Sequence, residues 1–411
     1  MRLKEIISWL PMLGMCCLLV TLPFYYGYTQ RYSLYGLAIF YLLDYFVNKR
    51  YTEWKWNSNL IVFVLMIVFF LLTPLHQLFD TTDVTPFYKH QMNVRYPFLI
   101  FGLVGFLGIS DKINIRIVGA IMLLTGSCIF IYLFVTSAVA TRFVNDMIGY
   151  FNQLRINQIY SHMVVNLYAN LAIIAGYYML ATDMRKVLKV LTCVGMSLNV
   201  VMIVISEGRI GFITFLVCAL VLIIYKLYRS GYRKAYIGVF FVIAALSCVF
   251  IALNKKMSVE KLSEDPRLVV WNYSWHLIKQ HPISGYGLST LSNEFVEQAF
   301  TDEPMNQYYI HGVLTMPEFV DVPRDMKIIH PHNAFLQTWL EHGIAGLFIL
   351  IVFFAAFGSL IRLKPAGVYV FLTMLAILLQ SITEPFGQHF QPMIVGLMIL
   401  LWYYGNRREA L

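Results

Sequence analysis

Stretches of roughly twenty residues with almost no charge recur along this chain from end to end, and such stretches have few folding options. Crossing the ~30 Å hydrocarbon core of a bilayer takes about 20 apolar residues in a helix. In lipid, every backbone N–H and C=O must also find its partner within the protein. Twelve stretches meet the requirement, at approximately 7–26, 33–47, 59–76, 96–110, 115–138, 160–182, 187–206, 210–227, 235–253, 343–361, 366–383 and 391–404. They predict an all-α polytopic membrane protein with about twelve transmembrane helices. Charge content points the same way: 13% of the 411 residues are Asp, Glu, Lys or Arg, against about 25% in an average soluble domain. The first stretch reads as a retained span, because its apolar part outruns a signal-peptide core and no Ala-x-Ala-like site follows.

Cations orient the spans. With the amino terminus inside, the inner segments hold 18 of the 31 Lys and Arg, among them Arg116, Arg185, Lys186 and Lys189. Six fall in short outer segments and seven in one long outer loop, where the bias is weak. Both termini are therefore expected on the inner side. The net charge of +9 is explained by anchoring at the inner leaflet and needs no nucleic acid. All six cysteines (Cys16, Cys17, Cys128, Cys193, Cys218 and Cys248) lie within spans, so they read as small apolar fillers, with no disulfide or zinc spacing.

The chain divides into spans one to nine (1–253), an outer loop (254–342) and spans ten to twelve (343–411). The loop has helical content. Asp265-Pro266 reads as an N-cap with proline at the first helical position, and Leu268, Trp271, Trp275 and Leu277 follow at helical spacing. The chain then turns through His281-Pro282 and Gly285-Tyr286-Gly287. Leu291 to Phe300 suggests a second surface helix, and Thr301 to Arg324 an irregular stretch. A helix from Ala334 to His342 follows, set apart from span ten by Gly343.

Several outer residues could carry chemistry. Arg209 lies in Ser206-Glu207-Gly208-Arg209-Ile210-Gly211, at the bend between spans seven and eight. A guanidinium at a helix end is tolerated when it faces water, protein or an anion, and the flanking glycines would let a phosphate approach the backbone. Arg267 opens the loop helix, one turn before Trp271, and its planar fork suits phosphate oxygens. His332, in His330-Pro331-His332-Asn333, could take a proton from a hydroxyl near neutral pH. Glu341 and Glu384, near the outer ends of spans ten and eleven, could orient a cation or bind acceptor hydroxyls, or could be solvated helix ends. The bland alternatives are a snorkelling arginine for Arg209, a surface arginine for Arg267 and a structural histidine for His332. No ligand set accompanies His-x-His at metal spacing, so no metal and no cofactor is expected.

Three strings in this order around one outer loop resemble the O-antigen ligase and polymerase superfamily of bacterial envelope enzymes. They are Gly208-Arg209-Ile210-Gly211; Arg267-Leu268-Val269-Val270-Trp271 with His281-Pro282-Ile283-Ser284-Gly285-Tyr286-Gly287; and His330-Pro331-His332-Asn333-Ala334-Phe335-Leu336 with Glu341-His342-Gly343-Ile344-Ala345-Gly346. The resemblance covers about residues 200–350. It implies a metal-independent, inverting glycosyltransferase at the periplasmic face of the inner membrane. The donor would be a glycan on undecaprenyl pyrophosphate, and the acceptor a sugar hydroxyl such as one on the lipid A core. By that resemblance His332, Arg209 and Arg267 would be catalytic, the two arginines clamping the pyrophosphate, and Trp271, His330, Asn333 and Glu341 would line the substrate. A polymerase of the same superfamily is the nearest rival, and a lipid-linked sugar transporter a rival of another class. The transporter reading wants a charged cavity through the membrane and two matching halves, neither of which the sequence displays.

Overall fold

The computed structural model describes residues 2–24, 27–52, 54–78, 86–108, 112–141, 147–158, 162–206, 208–229, 266–287, 331–362, 366–384 and 390–409. Among the described residues, nine α-helices precede the long loop: α1 (Arg2–Thr21), α2 (Gly27–Val47), α3 (Ile61–Gln77), α4 (Pro86–Leu107), α5 (Ile115–Thr141), α6 (Met147–Gln158), α7 (His162–Ala181), α8 (Lys186–Ile205) and α9 (Arg209–Arg229). Four more described α-helices begin within or after it: α10 (Pro266–Gln280), α11 (Ala334–Ser359), α12 (Gly367–Thr383) and α13 (Phe390–Glu409). The chain is an all-α polytopic membrane protein, and seven helices among the described residues are long and apolar enough to cross a membrane.

Eleven of the twelve expected stretches coincide with helices, and the other, 235–253, lies outside the described residues, as do Leu291 to Phe300 and Thr301 to Arg324. Two polar segments between expected spans are more helical than their polarity suggested. α4 begins at Pro86, so Arg95 sits inside a helix rather than in a loop, and α6 forms between spans five and six.

Helix α7 is the hub, with 89% of its apolar window buried, against 28% for α8 and 22% for α9. Its C-terminal Tyr178 meets Tyr369 at the start of α12 with ring centroids 5.2 Å apart, and Lys226 near the end of α9 lies over Tyr177 at 5.8 Å. The start of α12 and the ends of α7 and α9 therefore share one side of the bundle. Arg209, which opens α9, and Glu384, which follows α12, share the other.

The element that shapes this second side is α11. Gly343 breaks it with φ 64° and ψ −163°, and the segment before the break folds back along the segment after it. Phe335 and Phe354 would be about 28 Å apart in a straight helix at 1.5 Å per residue, yet their rings stack at 5.8 Å. Gly346 permits the fold, since a Cβ there would lie 3.1 Å from the Thr338 carbonyl and against the His342 side chain. The turn after α10 covers the break. Tyr286 N–H donates to Leu340 O at 2.8 Å, Ile344 N–H to Pro282 O at 3.1 Å, and the Trp339 indole to the same Pro282 carbonyl at 2.9 Å.

Candidate active site

The fold-back turns the start of α11 into the bundle, so that His332 meets the end of α12 at Glu384. The His332 Nδ1 lies 3.1 Å from Glu384 Oε1. A carboxylate oxygen only accepts, so Nδ1 carries the hydrogen and Nε2 is left as the basic atom of the ring. The same carboxylate oxygen faces Arg267, whose Nη2 stands 3.9 Å away. Glu384 is 7% exposed, while the side chains of His332 and Arg267 keep 25% and 29%. A shielded carboxylate thus holds two half-open groups, a geometry in which each can still meet a ligand.

Local structure fixes His332 firmly. Its φ is 49°, a left-handed conformation that costs a residue with a Cβ of the order of 1 kcal/mol or more and persists only where the surroundings impose it. On one side, the Trp271 indole N–H donates to Pro331 O at 2.7 Å. On the other, Asn333 caps α11, its Oδ1 accepting from Phe335 N at 2.9 Å and Leu336 N at 3.0 Å. Trp271 and Asn333, both expected to line the substrate, thereby act on the backbone flanking His332.

Arg209 is half-buried at the first position of α9, at the same side of the bundle. Gly211 does not leave room for a phosphate, as its position in the sequence suggested. A Cβ there would collide with the Asn166 side chain, and the Asn170 amide donates to Gly211 O at 3.0 Å. Gly211 therefore serves the close packing of α9 on α7. His330 and Glu207 lie outside the described residues.

Glu341, expected beside the substrate, is fully buried, and its oxygens face Arg95 and the Gln337 amide. Arg95 also donates to Thr73 Oγ1 at 3.1 Å and lies 3.0 Å from His342 Nε2, with its guanidinium over the Phe69 ring at 5.7 Å. This network ties the folded-back arm to α3 and α4. Arg95 was missed in the sequence because it sits at the polar entrance of a span; a charge followed at once by Tyr96 and an apolar run was the available signal. Asp44, another buried charge, is satisfied by Arg50 Nε at 3.5 Å and the Asn48 amide at 2.6 Å. Among the described residues, no three His, Cys, Asp or Glu side chains gather as a metal site would require.

Known proteins match the part of the chain that carries most of these groups. A family model described as O-Antigen ligase matches residues 194–351, which hold Arg209, Arg267, Trp271 and His332 but neither Arg95 nor Glu384. A protein of Rickettsia typhi named "Putative polysaccharide ligase" is 27% identical over 154 residues, 36% of this chain and 34% of that protein. One of Rickettsia prowazekii with the same name is 26% identical over 156 residues, with the same shares. The chain spans about a third of the length of the curated relatives it matches. Family match, relatives and helical membrane architecture agree, and over residues 194–351 this chain is similar to the O-antigen ligase superfamily.

Proposed function

We propose that this protein is a metal-independent glycosyltransferase of the ligase kind. It moves a glycan from undecaprenyl pyrophosphate to a sugar hydroxyl, in the first instance on a lipid A core, at the periplasmic face of the inner membrane with both termini inside. The observation that carries the reading is the shared carboxylate: Glu384 Oε1 faces both the His332 imidazole and the Arg267 guanidinium. An aligned base and a diphosphate clamp are the two parts that a direct displacement needs.

The placement of the groups supports the same chemistry. Arg209 is the first residue of α9, Arg267 the second of α10, and His332 precedes the Asn333 cap of α11. Each thus stands at a helix N-terminus, where unpaired N–H groups and the helix dipole favour an anion. In the reaction, the acceptor oxygen attacks the anomeric carbon as its proton passes to His332 Nε2. The bond to the pyrophosphate breaks, and its electron pair stays on the departing oxygen. Arg209 and Arg267 stabilise that growing charge more in the transition state than before it. One displacement inverts the anomeric centre, and no second carboxylate pair of the retaining kind is required.

Replacing Arg209, Arg267 or His332 by Ala, each in the full chain, tests the reading. Transfer from a purified lipid-linked donor is expected to fall at least a hundredfold in each, the scale of a lost base or charge stabiliser, with the protein still folded in the membrane. Near-normal transfer by all three would overturn it. Deleting the gene separates ligase from polymerase: a ligase leaves the lipid A core bare, and a polymerase leaves it with single repeats.

A further inference from the structure

On the far side of the bundle from Glu384, α5 and α8 run parallel across the back of α7 and leave a groove of about 800 Å³ between them. Small side chains open it: Ala120 and Ser127 on α5 and Gly195 on α8, with Met179 of α7 at its floor. It is apolar along its length except at one end, where its charged lining residues, Arg116, Asp183 and Arg185, are gathered. The Arg116 guanidinium reaches back to the Asp183 carbonyl at 3.5 Å, which sets it at the α7–α8 link.

We propose that this groove binds an anionic phospholipid, with an acyl chain laid between α5 and α8 and the phosphate between Arg116 and Arg185. Length is the first argument. From Arg116 to Ile131 on α5, and from Arg185 to Leu198 on α8, the groove runs about 20 Å at 1.5 Å per residue. That is about two thirds of a ~30 Å hydrocarbon core, enough to hold an acyl chain over the ~15 Å depth of one leaflet. Charge is the second. Arg185, Lys186 and Lys189 crowd the first turn of α8, which has no acidic residue, and the helix dipole makes this the unfavourable end for cations. An anion there relieves both, whereas the cationic headgroup of a zwitterionic lipid would face the surrounding lysines. The mouth lies at the opposite end of the 20-residue α8 from Arg209, so the groove does not serve the tail of a donor whose diphosphate sits at Arg209. The site is independent of the proposed transfer chemistry.

Native mass spectrometry of the purified full-length protein, offered phosphatidylglycerol and phosphatidylcholine of the same chains, tests this. The wild type is expected to retain phosphatidylglycerol with roughly tenfold preference, as two cations at a membrane surface allow, and Arg116→Gln with Arg185→Gln should bring the two lipids to parity. Ala120→Phe, which fills the groove and leaves both arginines, should lose the bound lipid as well. A wild type without preference overturns the proposal whatever the variants do. So does a double arginine variant that keeps the preference, or an Ala120→Phe protein that retains phosphatidylglycerol like the wild type.

Discussion

Arg95 and Glu341 form an ion pair that is buried on both sides, with 2% and 0% of their side chains exposed, and it joins α4 to the folded-back arm of α11. Removing either partner strands the other charge in a dry interior, at a cost of about 3–5 kcal/mol, whereas replacing both by apolar residues of similar size is often neutral. Arg95→Met and Glu341→Leu, made singly, are therefore expected to lower thermal stability in detergent sharply, and the double variant to recover most of it. Single variants as stable as the wild type would show that the pair is not shielded as described.

Glu384 is expected to matter through His332. Glu384→Gln keeps the shape but gives up the charge that holds the Nδ1 hydrogen and steadies a protonated ring. Turnover should fall about a hundredfold, the lower range for disabling a general base, with little change in the amount of folded protein. Glu384→Asp should recover part of the loss if the carboxylate still reaches the ring. An unchanged turnover in Glu384→Gln would mean that the 3.1 Å contact has no part in transfer.

The spans were legible because lipid demands length and apolarity together, and both can be read residue by residue. The polar starts of α4 and α6 were not, since no apolar run marks a helix there. Arg209, Arg267 and His332 stood out as residue types at helix ends expected on the outer side. The meeting of Arg267 and His332 at Glu384 did not, because it depends on a fold-back at Gly343 that brings residues 52 positions apart into contact. The glycines quoted as motif features have a plain structural reason: Gly285 and Gly343 let the turn after α10 and the break in α11 touch backbone to backbone.

That contact gives a prediction of its own. A Cβ on Gly343 would collide with the Ile283 carbonyl, at a φ of 64° that side chains rarely adopt. Gly343→Ala is expected to cost about 1–3 kcal/mol from conformation alone, more with the collision, and to cut transfer by displacing the arm that carries His332. Gly36→Ala serves as the control. No atom lies within 4 Å of its Cβ position, so the change should be neutral or stabilise α2 by about 0.5–1 kcal/mol. Equal melting temperatures for the two variants would refute this account of Gly343.

Trp271 separates two roles that its position in the sequence left open. If it stacks on the substrate, Trp271→Phe should chiefly raise KM. The structure instead has its indole N–H donating to Pro331 O at 2.7 Å, one residue before His332, and phenylalanine keeps the ring but lacks the donor. A buried carbonyl left unpaired costs about 1–3 kcal/mol, and the chain around His332 can relax by moving the imidazole. Small misplacements of a catalytic group cost up to a hundredfold, so kcat is expected to fall about tenfold while KM for the lipid-linked donor stays within about twofold. Steady-state kinetics on the purified variant distinguish the outcomes: a loss confined to KM would assign Trp271 to the substrate and remove it from the support of His332.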